Sequence, residues 1–278
     1  MEYILASDGR RLAYRDTGGA GPAVLCLPGL SRNSRDFDRL AAHLAPRYRV
    51  LRLDARGRGG SERAAKPTEE YTVPVETRDT HDLLDHLGIG RVSVIGTSRG
   101  GIVGMSLAAA WPGLVQALVL NDAEIEMRGL LRIMAYLGRE PLDGSFAEAA
   151  ARLKREHARD FPGVPEARWL EHARAIYDDV HGRPRIAYDP KLVAAAAAVD
   201  DNAETISLWP LLEGLPNLPI LVIRGEHSDI LSARTLARMR KVHPGLQAVE
   251  IPARGHAPFL DEPAAVAAID RFLEAHAR

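Results

Sequence analysis

The stretch VIGTSRGG, residues 94–101, decides how the rest of the chain is interpreted. Its first residues continue an apolar run from Val92, as in a strand that is buried on both faces. A small hydroxyl side chain, Ser98, then stands between Gly96 and Gly100. A turn that leads directly from a strand into a helix strains its central residue, so the neighbouring residues must be small. The pattern therefore predicts an exposed serine beside the free N–H groups of a helix's first turn.

Strand-like and helix-like segments alternate on both sides of this stretch. Such alternation predicts parallel strands connected by helices that cover both faces of one sheet. Residues 123–218 contain helix-forming stretches but no convincing strand. We therefore expect an α/β fold with a core of residues 1–122 and 219–278, a mostly parallel sheet of about eight strands, and a helical cap of residues 123–218. The expected strands are 11–17, 23–27, 48–53, 92–95, 115–120, 219–223 and 248–251.

The composition favours a globular protein whose partner is a small molecule. The 278 residues are 46% hydrophobic and 26% charged, and the formal net charge of -1 gives no bulk attraction to nucleic acid or acidic membranes. Cys26 is the only cysteine, which excludes an internal disulfide and suits a reducing compartment. The first residues lack the apolar run of a signal peptide, and no segment resembles a membrane span. We expect a cytoplasmic monomer or homodimer that binds neither nucleic acid nor membrane.

Two loops contain the groups that a serine nucleophile needs. Serine is a poor nucleophile at neutral pH, so a base must take its proton and a third group must hold that base. RGEHSDILS (224–232) and PARGHAPFL (252–260) each follow a predicted strand. Asp229 and His256 should therefore lie at the same edge of a parallel sheet as Ser98. The chain order serine, aspartate, histidine is the order found in hydrolases with such a turn.

Four local motifs, taken together, resemble the α/β-hydrolase fold superfamily with a cap domain, over nearly the whole chain. They are LPGLSRNS (27–34), DARGRGGS (54–61), GTSRGG (96–101) and, near the end, GEHSDIL with GHAPFLDEP. The resemblance implies that Ser98 is the nucleophile, His256 the general base and acid, and Asp229 the residue that orients His256. It also implies an oxyanion hole made by the backbone N–H groups of Leu30 and Arg99. A serine hydrolase of this kind needs no cofactor.

Some positions leave alternatives open. Asp122, in LVLNDAE, also follows a predicted strand and is the rival acid, but Asp229 is favoured because its loop precedes a helix at the family's spacing. Pro28 stands where the family often has histidine, so only the backbone donor at Leu30 carries over. Arg99 stands where many members have an apolar residue. Its guanidinium would meet either an acidic group of the substrate or a structural ion-pair partner.

The sequence leaves the substrate class open, because the cap shapes the pocket in this fold. A small carboxylic ester or lactone is the first hypothesis. The alternatives are C–C bond hydrolysis of a ring-cleavage product and a non-catalytic ligand receptor on the same fold. The pocket candidates are Arg99, Trp169, Tyr177 and Trp209, although such aromatic residues can equally form the core of the cap.

Two polar clusters resemble sites but have simpler explanations. Arg56, Arg58 and Ser61 are better explained as a network that braces their loop. His227 and Asp229 are spaced like metal ligands, but third and fourth ligands are not apparent, so no metal is expected.

Overall fold

A computed structural model describes residues 1–123, 125, 144–200, 207–215 and 217–277. Its centre is an eight-stranded sheet. The sheet strands are β1 (Glu2–Leu5), β2 (Arg11–Asp16), β3 (Ala23–Leu27), β4 (Arg49–Leu53), β5 (Val92–Thr97), β6 (Val115–Asn121), β9 (Ile220–Gly225) and β10 (Gln247–Ile251). They are arranged in the order β1-β2-β4-β3-β5-β6-β9-β10. Strand β2 runs antiparallel to both of its neighbours, and the other pairs are parallel. The predicted mostly parallel sheet is thereby confirmed.

Helices cover both faces of this sheet. Successive residues of β3 show why its sequence is continuously apolar: Val24 and Cys26 join one buried cluster, whereas Leu25 and Leu27 join another. The core helices are α1 (Asp38–Leu44), α2 (Pro67–Glu70), α3 (Val73–His86), α4 (Arg99–Ala110), α8 (Trp209–Glu213), α9 (Ala233–Val242) and α10 (Pro263–His276). Within the described residues, no helix is long and apolar enough to cross a membrane.

The chain enters and leaves the insertion between β6 and β9 at neighbouring points. The Leu208 N–H donates to the Ile125 carbonyl at 2.9 Å, which places these two residues side by side. Its described helices α5 (Phe146–Glu156) and α6 (Glu166–Ile176) pack together over their own apolar cluster. A further helix, α7 (Lys191–Asp200), lies against α2. Residues 126–143 and 201–206, which the sequence assigned to the cap, lie outside the described residues.

Two expectations about the insertion need correction. It contains an antiparallel hairpin, β7 (Tyr177–Val180) and β8 (Arg183–Ile186), where no strand was expected. The hairpin has few apolar residues, so hydrophobic alternation did not reveal it. The predicted cap boundary at residue 218 is also too late. Helix α8 already packs in the main core, where its residue Leu212 is fully buried.

Candidate active site

Ser98 sits at the sharp turn between β5 and α4. Its φ of 50° and ψ of -117° lie outside the regions that side-chain-bearing residues usually adopt, as expected for a strained turn. The Ser98 N–H donates to the Asn121 carbonyl at 2.9 Å, which fixes the turn to the end of β6. A Cβ on Gly96 would overlap the backbone at Gly100, and a Cβ on Gly100 would lie 2.6 Å from the carbonyl carbon of Leu27. The glycines around Ser98 are therefore required by close backbone packing.

His256, in the loop after β10, is held by a buried carboxylate. Its Nδ1 lies 2.8 Å from Oδ2 of Asp122, whose side chain is fully buried. The same carboxylate accepts hydrogen bonds from the Gly225 N–H at 3.1 Å and from the Ser228 hydroxyl at 2.6 Å. A carboxylate at Nδ1 favours the tautomer that carries its proton there, which leaves Nε2 as the basic nitrogen.

The expectation that Asp229 orients His256 is wrong, because the carboxylate that contacts His256 Nδ1 is that of Asp122. Strand β6 lies between β5 and β9, so the carboxylate at its end reaches the loop that follows β9. In that loop Ser228, one residue before Asp229, contacts the acid. Asp229 itself is exposed and lines the same cavity as Ser98 and His256, which is described below. The sequence signal for Asp122 was its position directly after β6, which identified it as the rival.

Asn121 is a site residue that the sequence analysis missed. Its side-chain Nδ2 donates to the Thr97 hydroxyl at 3.1 Å and to the Pro258 carbonyl at 3.0 Å. These bonds join the strand end before Ser98 to the loop that carries His256. The signal in the sequence was a polar amide, Asn121, directly after the apolar residues 117–120. The structure shows that this amide is buried.

The two backbone N–H groups expected to form an oxyanion hole come from separate segments beside Ser98. Leu30 lies in the loop after β3 and lines the same cavity as Ser98. A Cβ built on the preceding Gly29 would lie 3.8 Å from Cβ of Ser98, so this loop passes beside the serine. Arg99 is the first residue of α4, where N–H groups have no partner within the helix.

The Arg99 side chain is engaged in a structural ion pair. Its Nε donates to Oε2 of Glu76 at 2.6 Å and its Nη2 donates to the Tyr71 carbonyl at 3.1 Å. Arg99 is not among the cavity-lining residues in the described part of the chain. The ion-pair alternative is therefore correct, and the pocket role proposed for the Arg99 side chain is wrong.

A cavity of about 790 Å³ lies over Ser98 and His256. The loop after β3, helices α5 and α6, the hairpin and the loop after β10 contribute its walls. Of the expected aromatic residues, Trp169 and Tyr177 line it. Trp209 does not, because it packs into the main core with the Arg238 guanidinium carbon 3.8 Å from its ring centroid.

A neutral imidazole stands among the aromatic rings of this cavity. The His172 ring lies edge-on to Trp169 and Phe259, with centroid separations of 5.8 and 5.1 Å. Burial lowers the pKa of His172 well below its usual range, and the charges of Arg32 and Arg168 act in the same direction. At neutral pH the ring therefore offers one N–H donor and one acceptor nitrogen.

The structure shows what surrounds the two polar clusters that the sequence suggested. Arg56 Nε donates to Asp79 at 2.7 Å, and Ser61 donates to the Asp54 carbonyl at 2.5 Å. These bonds brace the loop after β4, as expected for a structural network. In the described parts of the chain, no group of three or more histidine, cysteine or acidic residues is arranged to hold a metal ion.

Several known proteins resemble this chain in sequence and fold. The sequence matches the alpha/beta hydrolase family over residues 24–269. A 3-hydroxybutyrate-oligomer hydrolase from Cupriavidus necator is 36% identical over 95% of this chain and 92% of its own length. A 2-(acetamidomethylene)succinate hydrolase from Mesorhizobium japonicum is 28% identical over 86% of this chain and 82% of its own. The crystal structure of an alpha/beta hydrolase from Novosphingobium aromaticivorans superposes with a TM-score of 0.91, at 42% identity over 98% and 97% of the two chains. The chain belongs to the alpha/beta hydrolase family, and the names of its relatives support a hydrolase activity.

Proposed function

We propose that the protein is a serine hydrolase that cleaves a carboxylic ester through an acyl-enzyme, using Ser98, His256 and Asp122. The observation that carries this proposal is the bond between His256 Nδ1 and the buried Asp122 carboxylate, at the cavity that also contains the strained Ser98. The single buried cysteine is consistent with the cytoplasmic location that we also propose.

The proposed mechanism assigns one role to each of these residues. The Ser98 oxygen attacks the ester carbonyl carbon while its proton moves to Nε2 of His256, and Asp122 stabilises the resulting imidazolium. The N–H groups of Leu30 and Arg99 stabilise the tetrahedral oxyanion. Collapse breaks the bond to the alcohol, which leaves with the proton from His256. Water then gives a proton to His256 and attacks the acyl group, and the second collapse releases the carboxylic acid and returns the proton to Ser98.

The proposed substrate is a short ester of a hydroxy acid. The 36% identical relative is named for the hydrolysis of 3-hydroxybutyrate oligomers, which contain such esters. The cavity provides aromatic walls for the carbon chain. The neutral His172 can bond to a second polar group of the substrate, such as a hydroxyl or another ester carbonyl. For the C–C hydrolase alternative, the Arg99 side chain is not available to an acidic substrate because it pairs with Glu76, whereas other arginines, among them Arg32 and Arg168, line the cavity.

Hydrolysis of the linear dimer of 3-hydroxybutyrate, followed by chromatography of the products, tests the proposal. We expect the wild-type protein to release the monomer, and Ser98→Ala to lose at least about a thousandfold in kcat. Ser31→Ala is the matched control, because this serine lines the same cavity and has no role in the mechanism. Tight binding of the dimer without release of monomer would instead identify a ligand receptor.

A further inference from the structure

Glu76 is a buried acid that the proposed mechanism does not use. It lies on α3 with 4% of its side chain exposed, and it is not among the described residues that line the cavity over Ser98. A buried carboxylate is costly unless charged or hydrogen-bonding groups compensate it. Here one carboxylate pairs with two guanidinium groups. Arg58 Nη2 lies 2.8 Å from Oε1 of Glu76, and Arg99 Nε donates to Oε2 at 2.6 Å.

Each guanidinium is bound to one of the two segments that supply the proposed oxyanion hole. Arg58 is buried, and its Nε donates to the Leu30 carbonyl at 2.8 Å while its Nη1 donates to the Arg56 carbonyl at 2.7 Å. The bond to the Leu30 carbonyl holds the peptide plane between Leu30 and Ser31, which adjoins the plane that contains the Leu30 N–H. Arg99 is itself the residue that contributes the second N–H, and its side chain ties the start of α4 to Glu76.

The arrangement therefore connects two donors that are far apart in sequence. Close packing of Gly100 against the end of β3 brings the two segments together, and the buried ion pairs of Arg58 and Arg99 attach each segment to Glu76. Oxyanion stabilisation depends on donors held in the correct direction before the reaction begins. A small rotation of either N–H would weaken transition-state binding more than substrate binding.

We propose that Glu76 is a positioning residue that holds both oxyanion donors, through Arg58 to Leu30 and through Arg99 to the start of α4. This inference rests on the proposed function. It assigns to Glu76 a role in kcat and not in substrate binding. It also explains why this chain has an arginine after its nucleophile.

The test compares Glu76→Gln with a matched control, Asp79→Asn. Asp79 lies one turn further along α3, is equally buried and pairs with Arg56, a guanidinium of the same loop. We expect both variants to lose thermal stability, since each removes a buried carboxylate that pairs with a guanidinium. The loss should be smaller in Asp79→Asn, because Arg56 keeps Asp8 and Glu70 as partners. Only Glu76→Gln should lower kcat for p-nitrophenyl butyrate, by about tenfold or more, with KM changed by less than about twofold.

Binding of a boronic acid inhibitor provides the readout that separates positioning from general loosening. The boronate forms a tetrahedral adduct with Ser98 whose oxygen occupies the oxyanion position, so its affinity should fall in Glu76→Gln by the same factor as kcat/KM. Affinity for butyrate, the planar product, should stay within about twofold. Equal kcat and equal boronate affinity in the two variants would overturn the proposal.

A second variant covers the case in which Glu76→Gln does not fold. Arg99→Met keeps the backbone N–H of residue 99 and leaves Glu76 paired one-to-one with Arg58. We expect a loss of kcat of about threefold or more, because only one donor is released. Wild-type kcat in this variant would overturn the proposal. A wild-type protein without turnover or Ser98 labelling would show that the proposed function itself fails, and the inference would fail with it.

Discussion

Replacement of Asp122 by asparagine separates the acid found in the structure from the one that the sequence favoured. The carboxylate accepts from three donors, which are His256 Nδ1, the Ser228 hydroxyl and the Gly225 N–H. An asparagine has one oxygen, which accepts, and one NH₂ group, which only donates. It therefore cannot accept hydrogen bonds from all three donors. If the oxygen takes the Oδ1 position and keeps the bond from the Gly225 N–H, the NH₂ group takes the Oδ2 position and faces both His256 and the Ser228 hydroxyl. The proton of the imidazole then moves to Nε2, which can no longer take the proton of Ser98.

The expected loss is large because it combines the wrong tautomer with the loss of charge beside the imidazolium. Together these should lower kcat by about 10⁴-fold, the size known for this substitution in serine proteases. The fold should survive, because the two side chains are nearly the same shape. Asp229→Asn is the control. Because the carboxylate at His256 Nδ1 is that of Asp122 and Asp229 is exposed, we expect less than about a fivefold change.

The assay is the rate of p-nitrophenyl butyrate hydrolysis under saturating conditions, with thermal melting of each variant to verify folding. A folded Asp122→Asn protein within about tenfold of wild-type kcat would refute the reasoning. A greater loss in Asp229→Asn than in Asp122→Asn would refute it as well.

Three further changes probe the cavity and the turn. Because the pKa of His172 is lowered in the folded state, the unfolded chain binds more protons, so wild-type stability should fall as pH drops below about 6.5. His172→Gln should show a smaller decrease in melting temperature between pH 7.5 and 5.5. Gly100→Ala should lower the free energy of unfolding by about 3 kcal/mol or prevent folding, because its Cβ would collide with Leu27, whereas Gly90→Ala should be neutral by thermal melting. Trp169→Ala should raise KM for the 3-hydroxybutyrate dimer at least about fivefold in steady-state assays.

The strand–helix alternation and the turn at Ser98 were predictable because both depend on short-range constraints. A continuous apolar run shows that a strand is covered on both faces, as the two clusters around β3 confirm. The glycines around Ser98 reflect backbone atoms that leave no room for a Cβ. Such features are local and can be recognised from adjacent residues.

The partner of His256 was harder to predict because it depends on which strand ends are neighbours. Asp122 and Asp229 both follow strands, and sequence alone does not show which side chain turns toward His256. In the structure the Ser228 hydroxyl, next to Asp229 in the chain, donates to Asp122, and Asp122 contacts His256. The role of Arg99 was similarly hidden, since Glu76 precedes it by 23 residues on a different helix.

The boundaries of the insertion could not be predicted from neighbouring residues in the sequence. Helix α8 has no sequence feature that separates it from the cap helices. Its membership of the core follows only from its packing against the core helices α4 and α9. The same packing explains why Trp209 is not a cavity residue, whereas Trp169 on α6 is.

The most direct test of the central claim is reaction of the purified protein with a fluorophosphonate, with the modified residue identified by mass spectrometry. The account predicts one phosphonyl group on Ser98 in the wild-type protein, much slower labelling in Asp122→Asn and no labelling in Ser98→Ala. A folded wild-type protein that remains unlabelled, or that is labelled at another residue, would contradict it.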